Sequence, residues 1–258
     1  IATGGEGSVF YAGSNKTLVV KIYLNPLKMA QRGTFNRLKS LTALKSVPGV
    51  VGPQGLAYLD GEPVGFWMTH VSGEGLAAVS TNDWRTKNRF GDKEAHLLVA
   101  GMFNIIQAAH DRNFTVVDPN QNNWLAELAK AGVKANCLDV DSWIPTNNVP
   151  SHIAVNPAVR DYHSEKSGGI YVPTHLADWF SVGTVAFEVL VGIHPYRGFI
   201  SGHPRNKFEP RMRAHASVFH KDCGLPQSVR DFSSINGPLR DWFYSVFEEG
   251  KRCKPPNP

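Results

Sequence analysis

The chain has 258 residues, enough for one large domain or two lobes around a sizeable core. Apolar residues make up 42% and charged residues 19%, so it is expected to fold rather than stay disordered, and collagen-like, coiled-coil and disulfide-knot classes are excluded. With 27 Lys and Arg against 22 Asp and Glu the net charge is only +5, which a solvated basic surface explains more readily than a nucleic-acid partner.

Three widely spaced cysteines, Cys137, Cys223 and Cys253, form neither a disulfide framework nor a zinc pattern, which points to a reducing, cytoplasmic setting. The most apolar stretch, residues 179–193, is too short to span a bilayer and carries Glu188. No segment reads as a signal peptide, and the chain opens on Ile1 rather than Met, which points to trimming or to a longer protein.

In chain order, residues 8–12 and 17–23 are β-rich runs separated by Gly13-Ser14-Asn15 and predict a hairpin. Phe35, Leu38, Leu41 and Leu44 recur every three residues and predict one helix over 29–44, ended by Pro48-Gly49. Residues 55–59 and 63–71 predict two further strands around the turn Asp60-Gly61-Glu62. A shift in composition near 68–75 separates this β-rich part from one dominated by helices. There, helices are predicted over 96–110, 179–191 and 239–247, with the middle one apolar almost all round, as a buried helix is. Short strands are expected at 124–126 and 136–138.

Several positions carry candidate chemistry. Gly4-Gly5-Glu6-Gly7 before a strand lets a backbone pass close to a ligand and offers N–H groups to phosphate, although a glycine-rich hairpin turn looks the same. Lys21, amid Val19-Val20-Lys21-Ile22, points to the face opposite its immediate neighbours; if buried it needs an anion, and phosphate is one candidate. Asp118 and Asn123 stand five apart in an Asn-rich loop after Val116-Val117. They supply a carboxylate to orient a hydroxyl and an amide oxygen for a divalent ion. Asp139, at the end of the predicted strand 136–138, can join Asn123 on one Mg²⁺. The tryptophans Trp67, Trp124, Trp143, Trp179 and Trp242 read as core. The basic group Arg205, Lys207, Arg211 and Arg213, with His203 and His215, reads as a solvated insert, and His194 as a packed turn residue.

The order of these features, from glycine hairpin to buried helix, is that of the protein-kinase signature set. The chain resembles a protein kinase over nearly its whole length. In particular it is similar to the divergent bacterial Ser/Thr kinases of the YegI-like, tellurium-resistance-associated group. The similarity rests on Gly4 to Gly7, on the hinge-like Gly65-Phe66-Trp67-Met68-Thr69-His70-Val71, on Val116-Val117-Asp118 without a preceding His-Arg, on Asp139-Val140-Asp141-Ser142, and on Asp178 with His194-Pro195-Tyr196-Arg197-Gly198.

The resemblance implies an α+β, bilobal kinase-like fold, with a small antiparallel β-rich lobe carrying one helix over 1–71 and a larger helical lobe over 72–258. It implies ATP and Mg²⁺ as cofactors and a protein substrate, with phosphoryl transfer to Ser or Thr hydroxyls. Gly4, Gly5 and Gly7 would cover the phosphates, Val9 would line the nucleotide site, and Lys21 would bind the α/β-phosphates. Met68 would be the gatekeeper, the Thr69 carbonyl and Val71 N–H would hold adenine, Asp118 would orient the acceptor, and Asn123 and Asp139 would hold the metal. Asp178 would brace the loop that carries Asp118. A phosphatase of the PP2C type and a von Willebrand A-type protein are partners the resemblance suggests.

Departures from the pattern are equally concrete. No acid lies between Lys21 and Asp60, so the helix partner of Lys21 is missing, and Glu6, Asp139 or Asp141 are left to serve it. Ala2 occupies the first glycine position. Asn156-Pro157-Ala158-Val159 stands where Ala-Pro-Glu is expected, without the acid, which loosens an anchor. A pseudokinase, binding nucleotide or acting as a scaffold, is therefore the alternative to an active kinase, and a small-molecule phosphotransferase is the third reading. Val117 in place of Arg predicts an activity independent of loop phosphorylation, with Ser151 and Ser164 the nearest hydroxyls.

Overall fold

A computed structural model describes residues 2–14, 16–130, 132–147, 153–166, 168–204 and 207–256. It is a mixed α/β molecule with small antiparallel sheets, compatible with the α+β class.

Strands β1 (Ala2–Thr3), β2 (Gly7–Ala12), β3 (Leu18–Tyr23), β4 (Gly55–Leu59) and β5 (Glu62–Thr69) form an antiparallel sheet in the order β1-β2-β3-β5-β4. Side chains alternate across β3, so Val19, Lys21 and Tyr23 share the face on which Val19 and Tyr23 are buried. Lys21 pairs with Val9 on one side and Phe66 on the other, which places it in the middle of the sheet. The close approach of β5 to β3 depends on Gly65, where an added Cβ would stand 1.9 Å from the Lys21 carbonyl oxygen. Gly65→Ala is therefore expected to cost about 1–3 kcal/mol in denaturant unfolding, the usual range for overpacking. An unchanged midpoint would show that the two strands can part freely.

Two helices rather than one follow β3. The chain forms α1 (Pro26–Gln31), capped by the Asn25 side chain on Lys28 N–H at 2.9 Å, and then α2 (Thr34–Leu41). The predicted helix over 29–44 breaks at Gly33, whose φ of 69° is left-handed and cheap only for glycine. Phe35, Leu38 and Leu41 of α2 are buried, and Leu44 continues their face from a 3-10 turn, so the periodicity outlasts the helix. β5 stops at Thr69, before the end of the predicted strand at 71. Trp67 is not core: it alternates with buried Phe66, stays 38% exposed, and lays its indole over Gly55.

Beyond the sheet, β6 (Glu74–Gly75), α3 (Leu76–Val79) and α4 (Asn82–Asn88) lead to α5 (Asp92–His110). β7 (Phe114–Thr115) pairs with β10 (Ile144–Pro145), and β8 (Trp124–Ala129) with β6 and β9 (Gly132–Cys137), all antiparallel. β11 (Glu165–Lys166) and β12 (Ile170–Tyr171) precede α6 (His175–Val191), α7 (Phe208–Arg213) and α8 (Gly237–Phe247). The helices start earlier than apolar periodicity predicts because their first turns are polar and capped. Thr174 accepts the Ala177 N–H, Glu94 accepts the Gly91 N–H and Asn236 accepts the Leu239 N–H.

α6 is buried nearly all round and forms the centre of the helical part. Its Phe187 meets Phe219, Phe232, Phe243 and Phe247 edge-on at 5.2–5.8 Å between ring centres. Phe187, Phe243 and Phe247 are fully buried, and burial of each contributes about 1.5–3 kcal/mol, while Phe219 and Phe232 pack against them half-buried. His194 is a packed turn residue: its Nε2–H donates to the Ala158 carbonyl at 2.7 Å, and burial lowers its pKa to about 3, so it stays neutral. Arg211 departs from the solvated-insert expectation. It is 1% exposed and donates to the carbonyls of Ala216 and Gly198 at 2.9 and 3.0 Å, while Arg213 pairs with Glu165 and Glu209. Arg205 lies outside the described residues. Among those residues no helix is long and apolar enough to cross a membrane.

Candidate functional site

A cleft of about 990 Å³ opens between the five-stranded sheet and the β8–β9 hairpin. Gly4, Gly5, Gly7 and Val9 line it on one side, and Met68, Thr69 and Val71 at the end of β5. Lys21, Asn123 and Asp139 line its polar end. All ten positions singled out from the sequence for the nucleotide and metal thus face one space. Asp118 does not line the cleft itself; it sits on the adjoining loop, and Asn123 Nδ2 donates to its carbonyl at 2.9 Å.

That loop follows β7 and turns sharply at Val117, whose φ of 72° is left-handed. A β-branched residue there costs roughly 1–3 kcal/mol, so the surroundings must impose it. Asp178 does so from the first turn of α6. Its Oδ2 accepts the Val116 N–H and its Oδ1 the Val117 N–H, both at 2.8 Å, and it is fully buried. His110, the last residue of α5, adds a third contact at 2.9 Å. A carboxylate can only accept, so His110 carries its proton on Nε2. The Asp178 brace is what the kinase resemblance implies; the part played by His110 is not legible in the sequence, since nothing local links the end of one helix to the start of another.

Asp118 faces outward from this brace. Its Oδ1 accepts the Asn156 N–H at 3.2 Å and its Oδ2 the Asn120 amide at 3.0 Å. Burial raises its pKa above the usual carboxylate value; the two donors oppose that, and Asp139 adds to it.

Asp139 follows β9 in a left-handed conformation, φ 55°, which Asp tolerates better than most residues. The Leu138 N–H donates to the Asn123 carbonyl at 2.7 Å, and this fixes Asp139 beside Asn123. Lys21 Nζ reaches Asp139 Oδ1 at 2.9 Å and both oxygens of Asp141, at 3.0 and 2.9 Å. Of the three acids that sequence left open for Lys21, the structure pairs it with these two; Glu6 lines the cleft without such a bond among the described residues. Burial disfavours the Lys21 ammonium, but Asp141 and then Asp139 outweigh it and raise its pKa above the usual lysine value. Asp139 leaves 47% of its side chain open to the cleft, yet the protein crowding its base and the neighbouring Asp141 still raise its pKa against the pull of Lys21.

The 156–159 segment and the residues after it have contacts other than the missing acid. Asp161, 1% exposed, accepts two bonds from Arg252 at 2.7 and 2.9 Å, and Ser181 donates to the Val159 carbonyl at 2.6 Å. The acid sits two residues past Val159, and its partner is 91 positions away, so no local pattern marks the pair.

The donor set fits a hard divalent cation shared with phosphates. Asn123 spends its N–H on Asp118 and keeps its amide oxygen as an acceptor, while Lys21 bonds only Oδ1 of Asp139. Among the described residues no group of three or more His, Cys, Asp or Glu is arranged to hold a metal, so an ion here would depend on phosphate oxygens for its remaining ligands. No protein-family model matches this sequence, and no curated protein matches it as a relative.

Proposed function

We propose that this chain is an ATP- and Mg²⁺-dependent protein kinase that transfers the γ-phosphoryl group to Ser or Thr hydroxyls of a protein substrate. The fold would be bilobal and kinase-like, with residues 1–71 as the smaller lobe and 72–258 as the larger. One observation carries the reading: Lys21 of β3 and Asp139 after β9 meet at 2.9 Å across a cleft walled by Gly4, Gly5 and Gly7.

Each residue then has a task. The glycine segment presents backbone N–H groups to phosphate oxygens, and Lys21 adds a fixed positive charge. Asn123 and Asp139 would hold Mg²⁺, which when bound neutralises charge on the phosphates. Met68, Thr69 and Val71 border the adenine end. Asp118 orients the acceptor hydroxyl and takes its proton, a role served by the rise that burial gives its pKa. Asp178 keeps Asp118 in place through the loop backbone. The free thiols of Cys137, Cys223 and Cys253 are consistent with a reducing, cytoplasmic setting.

The pseudokinase remains the second reading, supported by the double neutralisation of Lys21 by Asp139 and Asp141. Titration calorimetry with ATP in excess Mg²⁺ tests the nucleotide site that both readings share. A dissociation constant below millimolar is expected; no binding at millimolar ATP refutes both nucleotide readings and leaves a scaffold.

Activity is expected to survive phosphatase treatment and Ser164→Ala. The Ser164 hydroxyl donates to Asp161 at 2.9 Å, and Arg252 is already paired with that carboxylate, so a phosphate there would meet a buried acid whose arginine is engaged. Ser151 lies outside the described residues. A loss of about tenfold or more, equal to about 1.4 kcal/mol in barrier, with the fold intact would contradict this.

A further inference from the structure

If the cleft binds nucleotide as proposed above, Lys21 must be held in place by an acid, and α1 and α2 contain none. The structure provides one from a different segment. Asp141 meets Lys21 with both carboxylate oxygens, and only 5% of its side chain is exposed. A carboxylate so buried is tolerated when it is paired and its lone pairs are satisfied. Tyr23 OH donates to its Oδ2 at 2.8 Å, and Arg37 of α2 grips its carbonyl through Nε and Nη2 at 3.3 and 3.1 Å. Asp139 is built differently: it offers Lys21 one oxygen and stays open to the cleft.

We propose that Asp141 is the positioning residue for Lys21, replacing a helix-borne acid and leaving Asp139 available to a metal ion. This rests on the nucleotide reading of the cleft. It also changes how the site is assembled. Asp139 and Asp141 belong to one short turn, in which Asp139 caps the 3-10 segment Val140–Ser142. The lysine partner and the metal-side carboxylate are therefore set together. α2 contributes a backbone grip through Arg37 rather than a charge partner, so a shift of α2 does not by itself break the Lys21 ion pair.

Two measurements on the full chain test this. The first is ADP affinity by calorimetry in EDTA, where Asp139 has no metal to hold. Asp141→Asn is expected to weaken ADP about tenfold, as loss of a well-placed charge-assisted contact does, and Asp139→Asn by less than about threefold. The second is a double-mutant cycle in thermal unfolding. Lys21→Gln is expected to shift the midpoint less than half as far in the Asp141→Asn background as in the wild type, because the two residues share one interaction.

Additive unfolding shifts, or an ADP loss in Asp139→Asn equal to that in Asp141→Asn, overturn the proposal. If Asp141→Asn does not fold, Asp139→Asn decides alone: affinity in EDTA kept within about threefold supports it, and a tenfold loss overturns it. A wild-type chain that binds neither ADP nor ATP refutes the nucleotide reading instead, and the unfolding cycle still decides whether Asp141 holds Lys21.

Discussion

Asp118→Ala and Asp139→Asn are both expected to abolish measurable phosphotransfer while separating in nucleotide binding. Asp139 is the open carboxylate beside Asn123, with one oxygen on Lys21 and the rest of its side chain in the cleft. Its loss removes half of the protein's donor set for Mg²⁺ and is expected to weaken Mg²⁺-ATP by about 10–100-fold, the range seen even for residues that only support metal ligands. Asp118 lies outside the cleft lining and contacts Asn120 and Asn156. Its loss is expected to lower turnover by about 10²–10⁴-fold, the contribution of a positioned general base, and to leave Mg²⁺-ATP affinity nearly unchanged. Calorimetry with Mg²⁺-ATP on both variants checks the split. Equal losses of affinity in the two would show that the roles are wrongly divided.

Asp178→Ala is expected to be the most destabilising single change. It orphans the Val116 and Val117 N–H groups, strands His110, and removes what holds Val117 left-handed. An unsatisfied buried group costs about 1–3 kcal/mol, so a total of about 3 kcal/mol or more follows. For a chain of this size that lowers the thermal midpoint by about 6–12 °C. A fall of under about 2 °C in a thermal scan would mean that the loop is set by something other than this carboxylate.

The sequence made legible what short-range pattern encodes. Alternation in β3 placed Lys21 on the face opposite its neighbours, and the all-apolar stretch after Asp178 marked α6. Where pattern misled, the physics is local. Phe35, Leu38, Leu41 and Leu44 keep one apolar face through a 3-10 turn, and Gly33 divides what reads as a single helix. Trp67 is large and apolar, but period-two alternation after Phe66 turns it outward. The pairs that join distant segments were not legible. Lys21 and Asp141 are 120 positions apart and Asp161 and Arg252 are 91 apart, and neither partner names the other. Likewise, a run with His203, Lys207, Arg211 and Arg213 reads as surface until the fold wraps carbonyls of Gly198 and Ala216 around Arg211.

The central claim is phosphoryl transfer, and the most direct measurement is transfer of label. The chain is incubated with γ-labelled ATP and Mg²⁺, with casein as a generic acceptor, beside the Asp139→Asn variant. The expected result is label on Ser or Thr of casein or of the chain itself, acid-stable and absent with Asp139→Asn. No label above the Asp139→Asn control, with ATP bound and the fold intact, would contradict an active kinase and leave a nucleotide-binding module.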